Sequence, residues 1–417
     1  MAEYGARTVG IIGAGPAGMM AAIYAAQNGA QVTLFEKNSY LGKKLGITGK
    51  GRCNVTNDCE SAEFLKNVIA NPKFLYAAIN NFSTADTKAF FESMGVELKT
   101  ERGRRVFPVS DKASDIVNAL RRAVSDNGVN IAYEKVLSVT AEDGCVKGLK
   151  TEKREYTFDA VIVATGGASY PGTGSDGDGY RFAKELGISV TDIIPSLVPL
   201  ETTEDVSELM GLSLKNVTLK IRDNNSGKTV FSELGEMMFT HFGLTGPLVL
   251  SASSHMREMA KGRYTALIDF KPALDNTELD KRVLSDFSKN VNRDFSNSLG
   301  NLLPSKIIPY TIWRSGIASD TKVNEITKAQ RKNLVDLLKS MSFEIRSFRP
   351  ISEAIVTAGG ISVKEISPSD MRAKKYKGLY FCGEVIDVDA YTGGYNLQIA
   401  FSTGALAGTR AAWENRR

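Results

Sequence analysis

Apolar and polar positions along this 417-residue chain change texture several times. Val9–Ile12 is a short apolar run of the length of a buried parallel strand. Met19–Ala26 is apolar without breakers and reads as a helix, and Gln31–Phe35 reads as a second strand ending in Glu36. Further on, apolar residues recur at three-and-four spacing over Phe64–Ile69, Phe74–Phe82 and Thr84–Met94, which predicts helices. Ser114–Asn127 is another amphipathic helix, stopped by Asn127-Gly128. Asn130–Ala141, Gly148–Glu152 and Glu155–Phe158, with reversing turns between them, predict small antiparallel strands. Asp159–Thr165 is a buried strand running into Gly166-Gly167.

From Pro195 onward the pattern alternates. Ser196–Leu200, Leu214–Arg222, Lys228–Phe231, Tyr264–Phe270 and Ser342–Phe348 read as half-buried strands of a compact antiparallel sheet or barrel. Residues 235–253 hold two apolar runs broken by Gly243, Gly246 and Pro247. Asn276–Phe295 and Leu299–Leu303 look helical and polar-faced, an inserted module, and Ala329–Met341 is one more amphipathic helix. Buried-strand texture returns over residues 378–384, followed by a glycine doublet and a long helix opening at residues 394–396.

The first strand–helix–strand segment carries chemistry. Gly13, Gly15 and Gly18 fill the G-x-G-x-x-G spacing between strand and helix. The first glycine permits the tight turn, the second lets backbone approach a pyrophosphate, and the third lets helix and strand pack closely. Glu36, eighteen residues past Gly18, is placed to accept a hydrogen bond from an adenosine ribose. A 2′-phosphate there would meet like charge, so FAD or NAD is favoured over NADP. A second literal triplet at Gly172, Gly174 and Gly177 has no strand directly before it and Pro195 where an acid is needed, so it is read as a loop.

After Glu36, Gly46, Gly49 and Gly51 with Lys43, Lys44, Lys50 and Arg52 form an extended loop too rich in glycine for a helix, able to hold a phosphate or an anionic flavin edge. The Thr165-Gly166 turn brings backbone toward the same place. Near the far end, Asp387 and Asp389 can bind ribityl or ribose hydroxyls. A helix starting at Gly394–Asn396 would aim its N-terminus at the flavin pyrimidine edge and raise the flavin's electron affinity. Arg102, Arg104 and Arg105 read as a solvated turn or an anion contact.

Composition narrows the class. An apolar fraction of 42% and a charged fraction of 24% are those of a soluble globular protein, long enough for two or three domains. The net charge of +5 is small, and no dense basic run is paired with an aromatic platform, so nucleic acid is not an expected partner. The N-terminal apolar segment lacks a basic flank and no run of eighteen apolar residues occurs, so neither signal peptide nor membrane span is expected, and the location is read as cytoplasmic. Cys53 and Cys59 are separated by five residues, not the usual four, and neither His241 nor His255 lies near the C-terminus. They are read as buried or loop thiols rather than a disulfide-reductase pair. His241 stands between Phe239 and Phe242 with no second ligand at useful spacing; it reads as a packing residue, a substrate contact or a proton donor, and no metal is expected.

Taken together, residues 13–18 (GAGPAG), 48–57 (TGKGRCNVTN), 164–180, 239–247 (FTHFGLTGP), 357–362 and 378–404 resemble the bacterial FAD-binding flavoprotein family that includes aminoacetone oxidases and a bile-acid dehydro-intermediate reductase. The resemblance runs in order along the whole chain. It implies an α/β fold with a Rossmann-type FAD-binding domain built from both chain ends (1–194 and 351–417). An inserted antiparallel β-barrel-like domain (195–272 and 324–350) and a small helical insertion (273–323) complete it. The resemblance also implies FAD contacts at Gly13, Gly15, Ala17, Glu36, Lys37, Gly51, Arg52, Asn54, Thr165, Gly383, Glu384, Asp389, Asn396 and Leu397. Lys50 stands where the family often has glycine.

The expected activity is FAD-dependent oxidoreduction, a hydride passing between flavin N5 and a small organic substrate in the cleft between the two domains. The resemblance leaves the substrate open. Oxidation of a small amine such as aminoacetone and NAD(P)H-dependent reduction of an activated double bond both fit, the latter with NAD(P)H bound transiently because no separate nicotinamide domain is visible. A flavin-bearing regulatory or RNA-associated protein without turnover is the alternative. Candidates for the polar work are Arg52, Cys53, His241, Tyr391 and Tyr395. The oligomeric state is not legible.

Overall fold

The computed structural model describes residues 6–413 apart from residue 290. Two compact units are present. One contains the chain up to Ser196 and from Ile351 onward; the other is Leu197–Pro350.

The first unit is built on a parallel sheet. Its strands are β1 (Thr8–Ile12), followed by helix α1 (Pro16–Gln27), β2 (Gln31–Phe35), β3 (Asn130–Ala132), β4 (Ala160–Val163) and β5 (Leu379–Phe381), and helix α2 (Tyr395–Trp413) follows β5. The spatial order is β5-β4-β1-β2-β3, every neighbouring pair parallel. Val9, Ile11, Leu34, Phe35 and all of β4 are buried, the continuous apolar signature of a sheet covered on both faces. Helix α2, from the far end of the sequence, lies on α1 at very close range. Methyl groups at Gly404 and Gly408 would fall 2.3 and 2.2 Å from the carbonyl oxygens of Ala17 and Ala21, so only glycine lets the two backbones meet there.

The second unit is a closed barrel of six strands. In order around the barrel they are Leu200–Thr202, Gly243–Thr245, Thr229–Phe239, Ser213–Asp223, Tyr264–Asp269 and Met341–Phe348. Alternate residues point inward: Leu219 and Ile221, Ala266 and Ile268, Phe343 and Ile345 are all fully buried. Helices Asn276–Ser288, Ile308–Ser315 and Lys328–Lys339 accompany it, the first and last opening on capping boxes at Asp275/Glu278 and Thr327/Gln330.

Several expectations from the sequence need correction. Asn130–Ala141 is not one strand. A turn at Glu134 splits it into β3, which extends the parallel sheet, and Val136–Glu142, which pairs antiparallel with Cys145–Thr151. Ser196–Leu200 divides likewise, Ile194–Ser196 pairing with Val356–Ala358 and Leu200–Thr202 entering the barrel. The strand expected at Lys228–Phe231 continues to Phe239, because Gly235 leaves room for Leu248 and does not break it. Leu299–Leu303 is not helical; those leucines are buried in turns, and the helix lies at Ile308–Ser315, with Pro309 at its start. The expected helix Asn276–Phe295 ends at Ser288, and its residue 290 lies outside the described residues. The loop after Glu36 is not wholly extended. Leu45–Gly51 coils as 3-10 turns, interrupted where Gly49 and Lys50 adopt left-handed conformations. No helix among the described residues is long and apolar enough to cross a membrane.

Candidate flavin site

The site is assembled at the carboxyl ends of β1, β2, β4 and β5. Gly13 has φ +97°, and a methyl there would press to 2.7 Å of the Ala164 carbonyl oxygen, so the turn sits tight against the end of β4. A side chain at Gly18 would collide with the Gly13 carbonyl, which fixes how closely α1 follows the turn. Gly15 differs: a methyl there would meet nothing within 4 Å, and the same holds at Gly51. Helix α1 has no side-chain cap and no acid in its first turn, so its amide groups and dipole face that open space. Thr165 Oγ1 is buried without a hydrogen-bond partner. Open cradle and uncapped helix together fit a dinucleotide pyrophosphate.

Glu36 is buried at the end of β2. Its Oε2 accepts from the Ala14 amide at 2.9 Å, and its Oε1 accepts from the Asn38 amide at 2.8 Å and from Asn38 Nδ2 at 2.6 Å. An ionised carboxylate has about four acceptor positions, so one on Oε2 is left for a ribose hydroxyl. Gly383 follows β5 with φ +78°, where any side chain would strike Ala17; this joins the two chain ends at one point. Glu384 accepts from the Thr357 amide and Ser169 Oγ on one oxygen and pairs with Lys44 at 2.8 Å on the other. Gly166 takes φ +73° beside Ser175.

A second group gathers where α2 begins. Asn54, with its amide turned to satisfy every partner, donates to the Thr56 and Val106 carbonyls and accepts from the Gly394 amide. Gly394 at φ +96° crosses the Thr56 backbone too closely for a side chain. Asn396 closes the preceding turn, its Oδ1 accepting from the Ala390 amide and its Nδ2 donating to the Ala390 carbonyl. Asp389 is buried and accepts from Ser196 Oγ at 2.9 Å. Leu397 and Tyr391 are half-buried beside these groups, and Tyr395 packs against Phe64 with ring centroids 5.4 Å apart.

Several candidate side chains are committed elsewhere. The Lys37 ammonium pairs with Asp176 and Asp178, and Lys43 reaches Asn38 Oδ1 at 3.4 Å. Arg52 pairs with Glu101 and Asp111 and stacks 4.2 Å over the Phe107 ring. Hydrogen bonds to those two carboxylates push its guanidinium above the usual range. Cys53 is fully buried in a left-handed conformation, its thiol pushed by burial up to about 12 despite a hydrogen bond with Thr48. Cys59 is pushed up to about 11 by burial, and both cysteines are free thiols. Neither is a thiolate at neutral pH. Burial also pushes the Tyr395 phenol up to about 12. His241 is exposed in the second unit, in the turn between two barrel strands. The arginine cluster is a hairpin turn, with Arg105 Nε donating to the Arg102 carbonyl. Among the described residues no group of three His, Cys, Asp or Glu side chains is placed to hold a metal ion.

Sequence reasoning passed over Asn38, which donates to Glu36, Ser169, which donates to Glu384, and Asp176 and Asp178, which pair with Lys37. Their one signal is composition: two acids and a serine inside the glycine-rich stretch that follows β4.

The profile of the HI0933-like protein Rossmann domain matches residues 7–410. The chain belongs to the HI0933-like family. This HI0933-like protein is an FAD-dependent oxidoreductase. It is 31% identical over 414 residues to a 3-dehydro-bile acid delta(4,6)-reductase from Clostridium scindens, the alignment covering 97% of this chain and 98% of the relative. It is also 31% identical over 401 residues to a ribosomal RNA dihydrouridine synthase from Haemophilus influenzae, covering 94% and 95% of the two chains. Its fold is shared with a 3-ketosteroid-delta4-(5alpha)-dehydrogenase from Rhodococcus jostii RHA1, at TM-score 0.52 and 14% identity, over 98% of this chain and 97% of that one.

Proposed function

We propose that this HI0933-like protein reduces a carbon–carbon double bond conjugated to a carbonyl group, with NAD(P)H as the source of electrons. The observation that carries this reading is shared chemistry in two relatives that align over nearly the whole chain. By their names, one reduces the delta(4,6) system of a 3-dehydro bile acid and the other converts a uridine of ribosomal RNA to dihydrouridine. Their substrates differ in size and class. Both reactions saturate a double bond polarised by a carbonyl.

FAD, when bound, supplies hydride exchange at N5. The chain's part is to hold and orient it. In this reading the amides at the start of α1 and the open faces of Gly15 and Gly51 receive the pyrophosphate, and Glu36 receives the adenosine ribose. Ala17, Gly18, Thr165, Gly166, Gly383 and Glu384 form the walls of the cradle. Asn54, Asp389, Gly394, Asn396 and Leu397 hold the turn that points α2 toward the redox end. Tyr395, a phenol that holds its proton at neutral pH and more firmly for being buried, is a proton donor candidate for the substrate carbon next to the carbonyl. Tyr391 is the second candidate; Cys53 is too buried to serve.

The test is an anaerobic stopped-flow record of flavin absorbance after mixing with NADH or NADPH, followed by addition of a conjugated enone. Bleaching at roughly 1–1000 per second and recovery with enone is the expected result. No bleaching by either nucleotide, with bleaching by a small amine, would replace this reading with an amine oxidase. A uridine in RNA is the second substrate reading, supported by the dihydrouridine synthase relative. It requires RNA to reoxidise the reduced flavin where free enones do not, with binding that falls steeply with salt.

A further inference from the structure

We propose that the 169–177 loop is a strap across the mouth of the flavin site, clasped to the end of β2 by Lys37 and Asn38, and that this clasp governs how long FAD stays bound. The inference rests on the FAD reading above and assigns to Lys37 a role other than touching the cofactor.

The argument begins with topology. Strands β4, β1 and β2 are neighbours in that order. The loop leaves from the carboxyl end of β4 and is fastened at the carboxyl end of β2. A segment joining those two points must cross the end of β1, where the Gly13–Gly18 turn and the open face of Gly15 lie. On the β4 side, Lys44 Nζ donates to Ser169 Oγ at 2.7 Å, and Ser175 Oγ stands 3.0 Å from where a methyl on Gly166 would be. On the β2 side, Asn38 Nδ2 donates to the Thr173 carbonyl at 3.1 Å as well as to Glu36. Lys37 Nζ meets Asp176 at 2.6 Å and Asp178 at 2.8 Å.

The fastening is close and specific. Gly174, at φ +100°, would with any side chain crowd Asn38 Nδ2 to 2.6 Å. The Lys37 side chain is 23% exposed and Asp178 is 16% exposed, so their pair is half out of water while Asp176, at 42%, lies at the rim. Burial works to lower the Lys37 pKa, yet its two carboxylate hydrogen bonds hold it above the ordinary value, so the cation persists. Asp178 is the first residue of the helix Asp178–Glu185 and pairs within it with Arg181 at 3.2 Å, so Lys37 fastens both the last part of the loop, at Asp176, and the helix into which the loop runs. Asn38 therefore links three things: the ribose-binding carboxylate, the end of β2 and the strap. A bound adenosine on Glu36 and a fastened strap favour one another, since both require Asn38 in the position observed.

The experiment follows FAD release from the holoenzyme by recovery of flavin fluorescence after dilution. Lys37→Met and the double variant Asp176→Asn/Asp178→Asn are each expected to speed release about five-fold, the upper end for a partly exposed ion pair. The triple variant is expected to release no faster than either parent. Without FAD, hydrogen exchange is expected to rise over residues 169–177 in both variants and stay unchanged in β1 and β4. If Lys37→Met speeds release while Asp176→Asn/Asp178→Asn slows it or leaves it unchanged, Lys37 holds the cofactor itself and the clasp is wrong. Unchanged release in both overturns the strap. A wild-type protein that takes up no FAD overturns the flavin reading instead, a distinct result visible before any variant is made.

Discussion

Alanine at Gly408 would, on helix propensity alone, stabilise α2 by about 1 kcal/mol, since glycine is among the poorest interior helix residues. The structure predicts the opposite sign. The added methyl would lie 2.2 Å from the Ala21 carbonyl oxygen, an atom of the α1 backbone that no rotamer change can move. An ordinary carbon–oxygen contact needs about 1 Å more, and a gap of 0.5–1 Å already forfeits a quarter to a half of the dispersion energy of the atoms it separates. Overpacking of this kind costs about 1–3 kcal/mol, or more against rigid backbone. Contact with fixed backbone puts the cost at the upper end of that range, so less the propensity gain the net loss is about 2 kcal/mol. Gly404→Ala, opposed by the Ala17 carbonyl at 2.3 Å, should behave alike and should also weaken FAD binding, because Ala17 belongs to the first turn of α1. Urea denaturation followed by far-ultraviolet circular dichroism reads the change as a lower midpoint at constant slope. Gly46→Ala, where a methyl meets nothing within 4 Å, is the control and should be neutral or slightly stabilising. A Gly408→Ala protein as stable as the parent would refute the close-contact argument.

Two other perturbations address the site. Glu36→Gln keeps the shape but turns one charged acceptor into a donor against the Ala14 or Asn38 amide, and should weaken FAD binding about 10–100-fold by fluorescence titration, the scale of a charged hydrogen bond. Cys53→Ser tests the buried thiol. Its pKa is raised from the ordinary thiol value to about 12, so above pH 9 the unfolded chain loses a proton that the folded one keeps, and stability falls as pH rises toward 12. The serine variant should show a shallower alkaline decline in urea midpoint, while flavin reduction near neutrality stays at the parent rate.

How much of this was legible beforehand varies with the physics of each segment. The nucleotide-binding half announces itself because strand, glycine turn, helix and acid are local in sequence, and each residue type has one geometric use. The closed barrel is visible as alternation, but its long strand is ended too early, at Phe231, since the polar residues and the glycine that follow look like a break in one dimension, whereas in the barrel Gly235 admits Leu248. Asn130–Ala132 was read into the wrong sheet because three residues carry no periodicity, and pairing with β2 is set by its partner. Asn38 and the Asp176/Asp178 pair were invisible for a different reason. Their roles depend on meeting residues more than a hundred positions away. Arg52 is read as a phosphate or flavin-edge contact because a cation in a glycine-rich loop suggests one, and Lys37 enters only through the family resemblance; the carboxylates that pair with both lie on other segments.

That α1 is covered by α2 has a consequence for biosynthesis. The face of α1 at Ala17 and Ala21 leaves the ribosome long before α2, whose Gly404 and Gly408 cover it, because the whole barrel lies between the two helices in sequence. The barrel, Leu197–Pro350, is complete in sequence before then and can close while the chain is still growing. Until α2 follows, the nascent flavin half must therefore wait unsealed. A ribosome-stalled chain ending before Tyr395 should bind neither FAD nor an antibody specific for the finished fold, whereas the barrel in the same chain should already resist protease.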